Sequence, residues 1–168
     1  IWVYMAFPNK MISNIGATLM SNQDFAKFMI YNDESQKDIL SMPDIKNPVK
    51  ELRNKKVFLN RRVEKVLKEA DISVFIIMSE YRPCFEGSRT IKKTKIEIGV
   101  VCHDECQSTA NGLRDVALVC CIVDIVTQNE EIAGIGKIKL ENVYQMYNLN
   151  TDYNGFVITV SAESFGDM

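Results

Sequence analysis

Between Asp71 and Phe165 the spacing of apolar residues changes period twice, from two to a helical three or four and back to two. Alternate residues of a strand share a face, and residues three or four apart share a helical face, so this stretch reads strand, strand, helix, strand, strand. Asp71 to Arg82 is the first strand, with Ile72, Val74, Ile76 and Met78 on one face. Phe75 and Ile77 make its other face partly apolar, which marks a central strand or one covered by a neighbour. Pro83 cannot donate to a ladder and ends it. A polar loop from Cys84 to Lys93, around Gly87-Ser88-Arg89, leads to a return strand from Thr94 to Cys102, with Ile96, Ile98 and Val100 inward and Lys95 and Glu97 outward.

A helix beginning at Ser108 or Asn111 runs to about Gln128. Leu113, Val116, Ala117, Cys120 and Asp124 follow one stripe and Leu118, Cys121, Ile122 and Ile125 a second, so a largely covered helix is expected. Gly134 and Gly136 turn into Lys137 to Tyr144, where Ile138 and Leu140 alternate with polar residues; Asn148 to Gly155 is turn-rich. Gly155 to Glu163 closes the set, with Phe156, Ile158, Val160 and Ala162 inward.

Ahead of these elements, Asn9 to Asn32 reads as two helical parts, striped by Ile12, Ile15 and Leu19 and then by Phe25, Phe28 and Met29. Ser21 or Asn22 caps the second part, and Asn32-Asp33-Glu34-Ser35 ends it. Met42-Pro43 and Asn47-Pro48 break the pattern from Gln36 to Asn60, predicting a loop with short turns. Connections this long are often contact surfaces or order only on assembly. Glu64 to Ala70 adds a short helical turn.

The expected fold class is α+β, two β-hairpins forming one mainly antiparallel sheet packed against a buried helix and an N-terminal helical region. Residues 1–20 form an N-terminal arm and first helical segment, and residues 21–168 a single domain with an extended loop at about 33–60. The apolar outer face of strand 71–82 is left over and is expected to pair with another copy.

The 168 residues, 46% of them apolar, suffice for one core. A net charge of -2 argues against a dedicated nucleic-acid binder, which usually carries a basic excess. Residues 51–100 hold twelve Lys/Arg against seven Asp/Glu, whereas residues 101–168 hold three against ten. Opposite regions of this kind suit a head-to-tail contact between copies. The basic run of Lys55, Lys56, Arg61, Arg62, Lys65 and Lys68 reads as a solvated face, with nucleic-acid contact as its alternative.

Five cysteines, an odd number, fit reduced thiols in a cytosolic setting. Cys102, His103 and Cys106 resemble half a zinc site, but the second pair is missing, because Cys120 and Cys121 are adjacent and sit in the apolar helix. The plainer reading makes Cys102 a core residue at a strand end and Cys120 and Cys121 small apolar side chains. His103 is the sole histidine, which excludes Ser-His-Asp and multi-histidine arrangements. A Cys-His pair through Cys102, Cys106 or Cys84 is the remaining enzymatic candidate, yet strand neighbours point to opposite faces and no Gly-x-Ser-x-Gly accompanies it. Asp104 and Glu105 read as acids favoured at a helix start. Gly134-Ile135-Gly136 lacks a third glycine and precedes a strand, so it is a turn. No catalytic, cofactor-binding or metal-binding residue is assigned.

No stretch approaches the roughly 18 apolar residues of a membrane span. Ile1 to Phe7 is apolar but short, follows no basic region and runs into Pro8-Asn9-Lys10, unlike a secretory signal. Met5 is a candidate start, a missing upstream segment being the alternative. The arm is expected to dock on a neighbouring subunit or on its own domain.

The element order, the Asn22-Gln23-Asp24-Phe25 helix start, Met42-Pro43-Asp44-Ile45 and Asn47-Pro48 in the early loop, and Gly134-Ile135-Gly136-Lys137 before the last hairpin resemble phage tail-terminator or tail-completion proteins, from about Ser21 to Phe165. That resemblance implies an α/β subunit with no enzymatic activity and no cofactor. It implies a ring, usually of six copies, that caps the tail tube and joins it to the head while DNA passes through. The implied partners are further copies, the tail tube protein, a neck or stopper protein and unspecifically passing DNA, with no membrane. The implied location is the virion, after assembly in the host cytoplasm. The apolar start and long early loop depart from the family and leave a neck stopper or adaptor protein as the alternative. Candidate inter-subunit contacts are Trp2, Tyr4, Phe7, Lys55, Lys56, Arg61, Arg62, Arg82 and Arg89; the last two flank the first hairpin loop, where they can reach a partner's carboxylates bidentately.

Overall fold

The computed structural model describes residues 6–32, 37–59, 72–129, 138–146 and 152–165. Trp2 and Tyr4 in the arm, the turn at 33–35, Arg61, Arg62, the helical turn at 64–70, the Gly134 to Gly136 turn and the first half of the 148–155 turn lie outside them. The α+β expectation holds. Helices α1 (Ala6–Ser21) and α2 (Gln23–Ile30) precede α3 (Pro48–Leu52), and strand β1 (Val57–Phe58) leads to the long strands β2 (Ile72–Pro83) and β3 (Ile91–His103). A short helix α4 (Asp104–Gln107), a miniature hairpin of β4 (Ser108–Thr109) and β5 (Gly112–Leu113), and helix α5 (Arg114–Gln128) connect to β6 (Lys139–Gln145) and β7 (Tyr153–Phe165).

The large sheet runs β1-β2-β3-β7-β6, antiparallel throughout except for the parallel β1–β2 pair. The last strand therefore lies inside the sheet, joined to β3 along its whole length from Ile91 opposite Phe165 to His103 opposite Tyr153. One sheet face carries Val74, Ile76, Ile96, Ile98, Val100, Ile158 and Val160, all fully buried. They pack in one core with Met11, Ile15 and Leu19 of α1, Phe25 and Met29 of α2, and Leu118, Ile122 and Val126 of α5. Burial of each such side chain contributes about 1.5–3 kcal/mol.

The two-part helical start is present, and it begins earlier than the pattern indicates. Phe7 is helical and not part of an extended arm, with Pro8 tolerated in a first turn whose N–H groups have no intrahelical partner. Of the two candidate caps, Asn22 takes the role, its Oδ1 accepting from the Phe25 N–H at 3.0 Å. Gly16 lets β1's neighbour Leu59 approach α1, since a Cβ there would stand 2.7 Å from its Cδ2.

The early connection is more regular than a loop with turns. Residues 37–59 hold a 3-10 turn at Ile39–Ser41, α3 and β1, with Ile39, Leu52 and Val57 in the core. Side chains of α2 stitch it down within the subunit. Gln23 donates to the Ile45 carbonyl at 3.1 Å and accepts from the Ile45 N–H at 2.9 Å. Lys27 pairs with Asp44 at 2.8 Å, and the Tyr31 hydroxyl donates to the Pro43 carbonyl at 2.7 Å.

Two inward assignments are corrected. Met78 stands 46% exposed and Leu140 44%. β2 slips register between Met78 and Glu80, and β6 between Leu140 and Asn142, so a bulge near each residue bends an outer strand of the sheet. The long helix starts at Arg114 rather than at Ser108 or Asn111, because Gly112 (φ +94) turns the chain into the miniature hairpin. Asn111 instead accepts the Ile39 N–H at 2.8 Å and donates to Asp38 at 2.9 Å. Most important for function, α5 buries only one of its two apolar stripes. Leu118 and Ile122 are in the core, whereas Leu113 is 57% and Val116 42% exposed, and Cys120 is exposed too.

The outer face of β2 is also less bare than expected. Phe75 is 6% exposed because its ring lies flat over Gly99 on β3, and it clusters with Val101 and Tyr153. A Cβ at position 99 would meet the ring at 2.1 Å. Gly99→Ala is therefore expected to lower stability by about 1–3 kcal/mol, measured by denaturant unfolding. Adding Phe75→Val should recover part of the loss, a non-additivity that independent sites would not show.

Candidate functional site

The apolar stripe of α5, followed back from Ile122 and Leu118, reaches Arg114 at the helix start. This arginine is fully buried. Its guanidinium donates from Nε to the Cys106 carbonyl at 2.7 Å, from Nη1 to the Phe28 carbonyl at 2.7 Å and from Nη2 to the Tyr31 carbonyl at 3.0 Å. Phe28 and Tyr31 stand at the end of α2, where unpaired carbonyls carry the negative end of the helix dipole. Burial lowers its pKa below the ordinary arginine value, and the three carbonyls compensate the lost hydration. Beside it the buried Gln107 side chain accepts the Asp115 N–H at 3.1 Å. The arrangement locks α2, α4 and α5 together and offers no open coordination to a ligand.

The Cys102, His103 and Cys106 region is likewise committed to structure. Cys102 is buried, and burial foremost pushes its thiol up to about 12, so it stays protonated and poorly nucleophilic. His103 caps α4, its Nδ1 accepting the Glu105 N–H at 3.2 Å, and its ring meets Tyr153 edge-on with centroids 4.9 Å apart. Asp104 accepts from the Asn154 amide, and Asp104 and Glu105 lie in the first turn of α4 as expected. Among the described residues no group of three or more His, Cys, Asp or Glu could hold a metal ion.

On the sheet face away from the helices, register places Glu80, Glu97, Glu141 and Glu163 among Arg82, Lys93, Lys95 and Lys139. Lys93 meets Glu141 at 2.8 Å, the Ser161 hydroxyl donates to Glu141 at 2.5 Å, and Glu80 bridges Arg82 at 2.5 Å and Lys95 at 3.2 Å. Lys93 first, then Ser161, pulls the Glu141 carboxyl down to about 2. The face is thus internally neutralised.

The proposed contact residues separate accordingly. Lys55 is exposed but pairs with Glu51 at 3.4 Å, and Lys56 donates to the Met29 carbonyl at 2.9 Å, so part of the basic run caps α2. Arg82 and Arg89 are exposed near the tip of the β2–β3 hairpin, Arg82 engaged by Glu80. The side chain of Phe7 is not among those described. Sequence reasoning passed over Phe85 at that tip, 61% exposed; its place in a turn between two strands was the available signal.

Residues 22–162 match the model of the YomW family. The chain belongs to that family. The family is phage-associated, and so is this protein. The match starts at the Asn22 cap and ends within β7, so it takes in α2, the stitched connection, the whole Arg114 lock and nearly all of the sheet. Comparison with curated proteins gives no match.

Two outcomes test the electrostatics. Arg114→Met, which strips two buried carbonyls and a part-buried one of their donor, should cost about 3–5 kcal/mol in urea unfolding, and Arg114→Lys a smaller part of it. The Glu141 carboxyl titrates at about 2 when folded, below the ordinary 4.5. Its stabilisation is therefore complete above about pH 4.5 and lost as the pH falls towards 2. The stability gap between wild type and Glu141→Gln should be widest near neutrality and close across that window.

Proposed function

We propose that this phage-associated protein is a structural component of the virion, a tail terminator whose copies close into a ring that caps the tail tube and joins it to the head. The observation that carries the reading is the outward stripe of α5. Leu113, Val116 and Cys120 face solvent along a helix whose one exposed charge after its first turn is Asp124. A helix apolar around most of its circumference is ordinarily covered, and an uncovered one marks an interaction surface.

A closed ring needs two different complementary patches on each subunit. The basic excess of residues 51–100 and the acidic excess of residues 101–168 supply opposite signs. The neutralised sheet face supports a further part of the reading, because DNA slides past a surface with no net positive field more readily than past a basic one.

Light scattering of the purified protein should give a mass several times that of one chain, and purified particles should contain it. A strictly monomeric protein absent from particles overturns the proposal. Particles made without the protein separate the terminator from the neck-stopper reading. Uncapped tails of uncontrolled length support the first, and tails of normal length that fail to join heads support the second.

A further inference from the structure

The β2–β3 hairpin ends in a rigid turn. The Ser88 N–H donates to the Phe85 carbonyl at 3.0 Å, Gly87 takes a positive φ of 83°, and the Cys84 N–H donates to the Ile91 carbonyl at 3.0 Å. Such a turn holds its residues in place before any partner arrives. It presents Phe85, 61% exposed, and Tyr81 on the strand leading to it is 43% exposed. Arg82 and Arg89 are exposed on either side of Phe85 in the chain, with Glu86 the acid on the turn. Arg89 makes no ion pair among the described residues.

A groove between α2 and α5, of about 400 Å³, has the opposite character. Phe28, Leu40, Cys121 and Ile125 share its lining with the polar Asn22, Gln128 and Asn129, Asp24 and Asp124 stand in it, and no cation lines it. Neither aspartate has an ion-pair partner among the described residues. The groove shares Asp124 with the outward stripe of α5 and lies on the helical layer, whereas the hairpin tip belongs to the sheet.

We propose that the groove receives the hairpin tip of a second copy of this chain, Phe85 entering between α2 and α5 while Arg89 meets Asp124 or Asp24. Phe28, Leu40 and Ile125 give an aromatic anchor apolar atoms to rest on, and the two aspartates of the groove are complementary in sign to Arg89. Tip and groove are different patches, so the contact is heterologous and repeats from copy to copy. The inference rests on the ring reading and supplies its joint.

Two variants test it, one with a broken tip (Phe85→Ser with Arg89→Glu) and one with a broken groove (Asp124→Arg). All three positions are solvent-exposed, so thermal unfolding should match wild type and certify the fold. Each variant alone should self-associate at least about tenfold more weakly than wild type by sedimentation. Mixed one to one they should form dimers and go no further, because each pair keeps one intact tip and one intact groove. Variants that assemble like wild type, or a mixture that yields no heterodimer, overturn this contact while leaving a wild-type ring standing. A wild-type chain that is monomeric at every concentration overturns the ring reading itself and the contact with it.

Discussion

One buried cation holds the helical layer together. Arg114 takes the Phe28 and Tyr31 carbonyls at the end of α2 and the Cys106 carbonyl of α4, while being the first residue of α5. Without it the buried Phe28 and Cys106 carbonyls and the part-buried Tyr31 carbonyl would each lose a donor, a buried acceptor left unsatisfied costing on the order of 1–3 kcal/mol. The contacts also set geometry. They fix where α5 begins, hence which side of that helix meets the core and which faces out, so the groove beside α2 inherits its shape from a residue that does not line it.

The alternation in β2, β3 and β7 was legible because period two survives any tertiary context in which one face is buried, and Ile96, Ile98, Val100, Ile158 and Val160 are found where it placed them. What escaped was long-range polar bonding. Gln23 clasping Ile45, Asn111 reaching Asp38 and Lys56 reaching Met29 join residues whose separation leaves no local pattern. These bonds turned an apparent 25-residue loop into an ordered layer and drew Asn111 out of the helix it was expected to start. Met78 and Leu140 were misplaced for a different reason: register keeps them opposite the buried Ile96 and Val160, so the alternation named their face correctly, but it does not say where along a strand the cover of that face ends. The two stripes of α5 could not be told apart in sequence. Both are apolar, and Arg114 and Asp115 preceding Leu118 and Ile122 on the inward side look like the less buried choice.

Charge and apolarity are distributed by element in a way that bears on assembly. On the outer sheet face Glu80 and Glu141 are paired with cations, and four carboxylates stand among four cations, so the face presents little net field. The unpaired charges sit elsewhere, positive at the hairpin tip and negative beside α5, each next to exposed apolar side chains. Apolar burial supplies the affinity of such a contact, and the rim charges select its orientation and discourage two tips or two grooves from meeting.

The position of β7 has a temporal consequence. It is the last strand in sequence but lies between β3 and β6, so the sheet has a gap at its centre until residues 153–165 arrive. On a ribosome the chain emerges from its first residue onwards, and β3 waits some fifty residues of synthesis for its partner. The subunit thus completes its sheet only once residues 153–165 have been made. Until then β3, from Ile91 to His103, has no partner on that side, and the outward cluster of Phe75, Val101 and Tyr153 lacks one of its members.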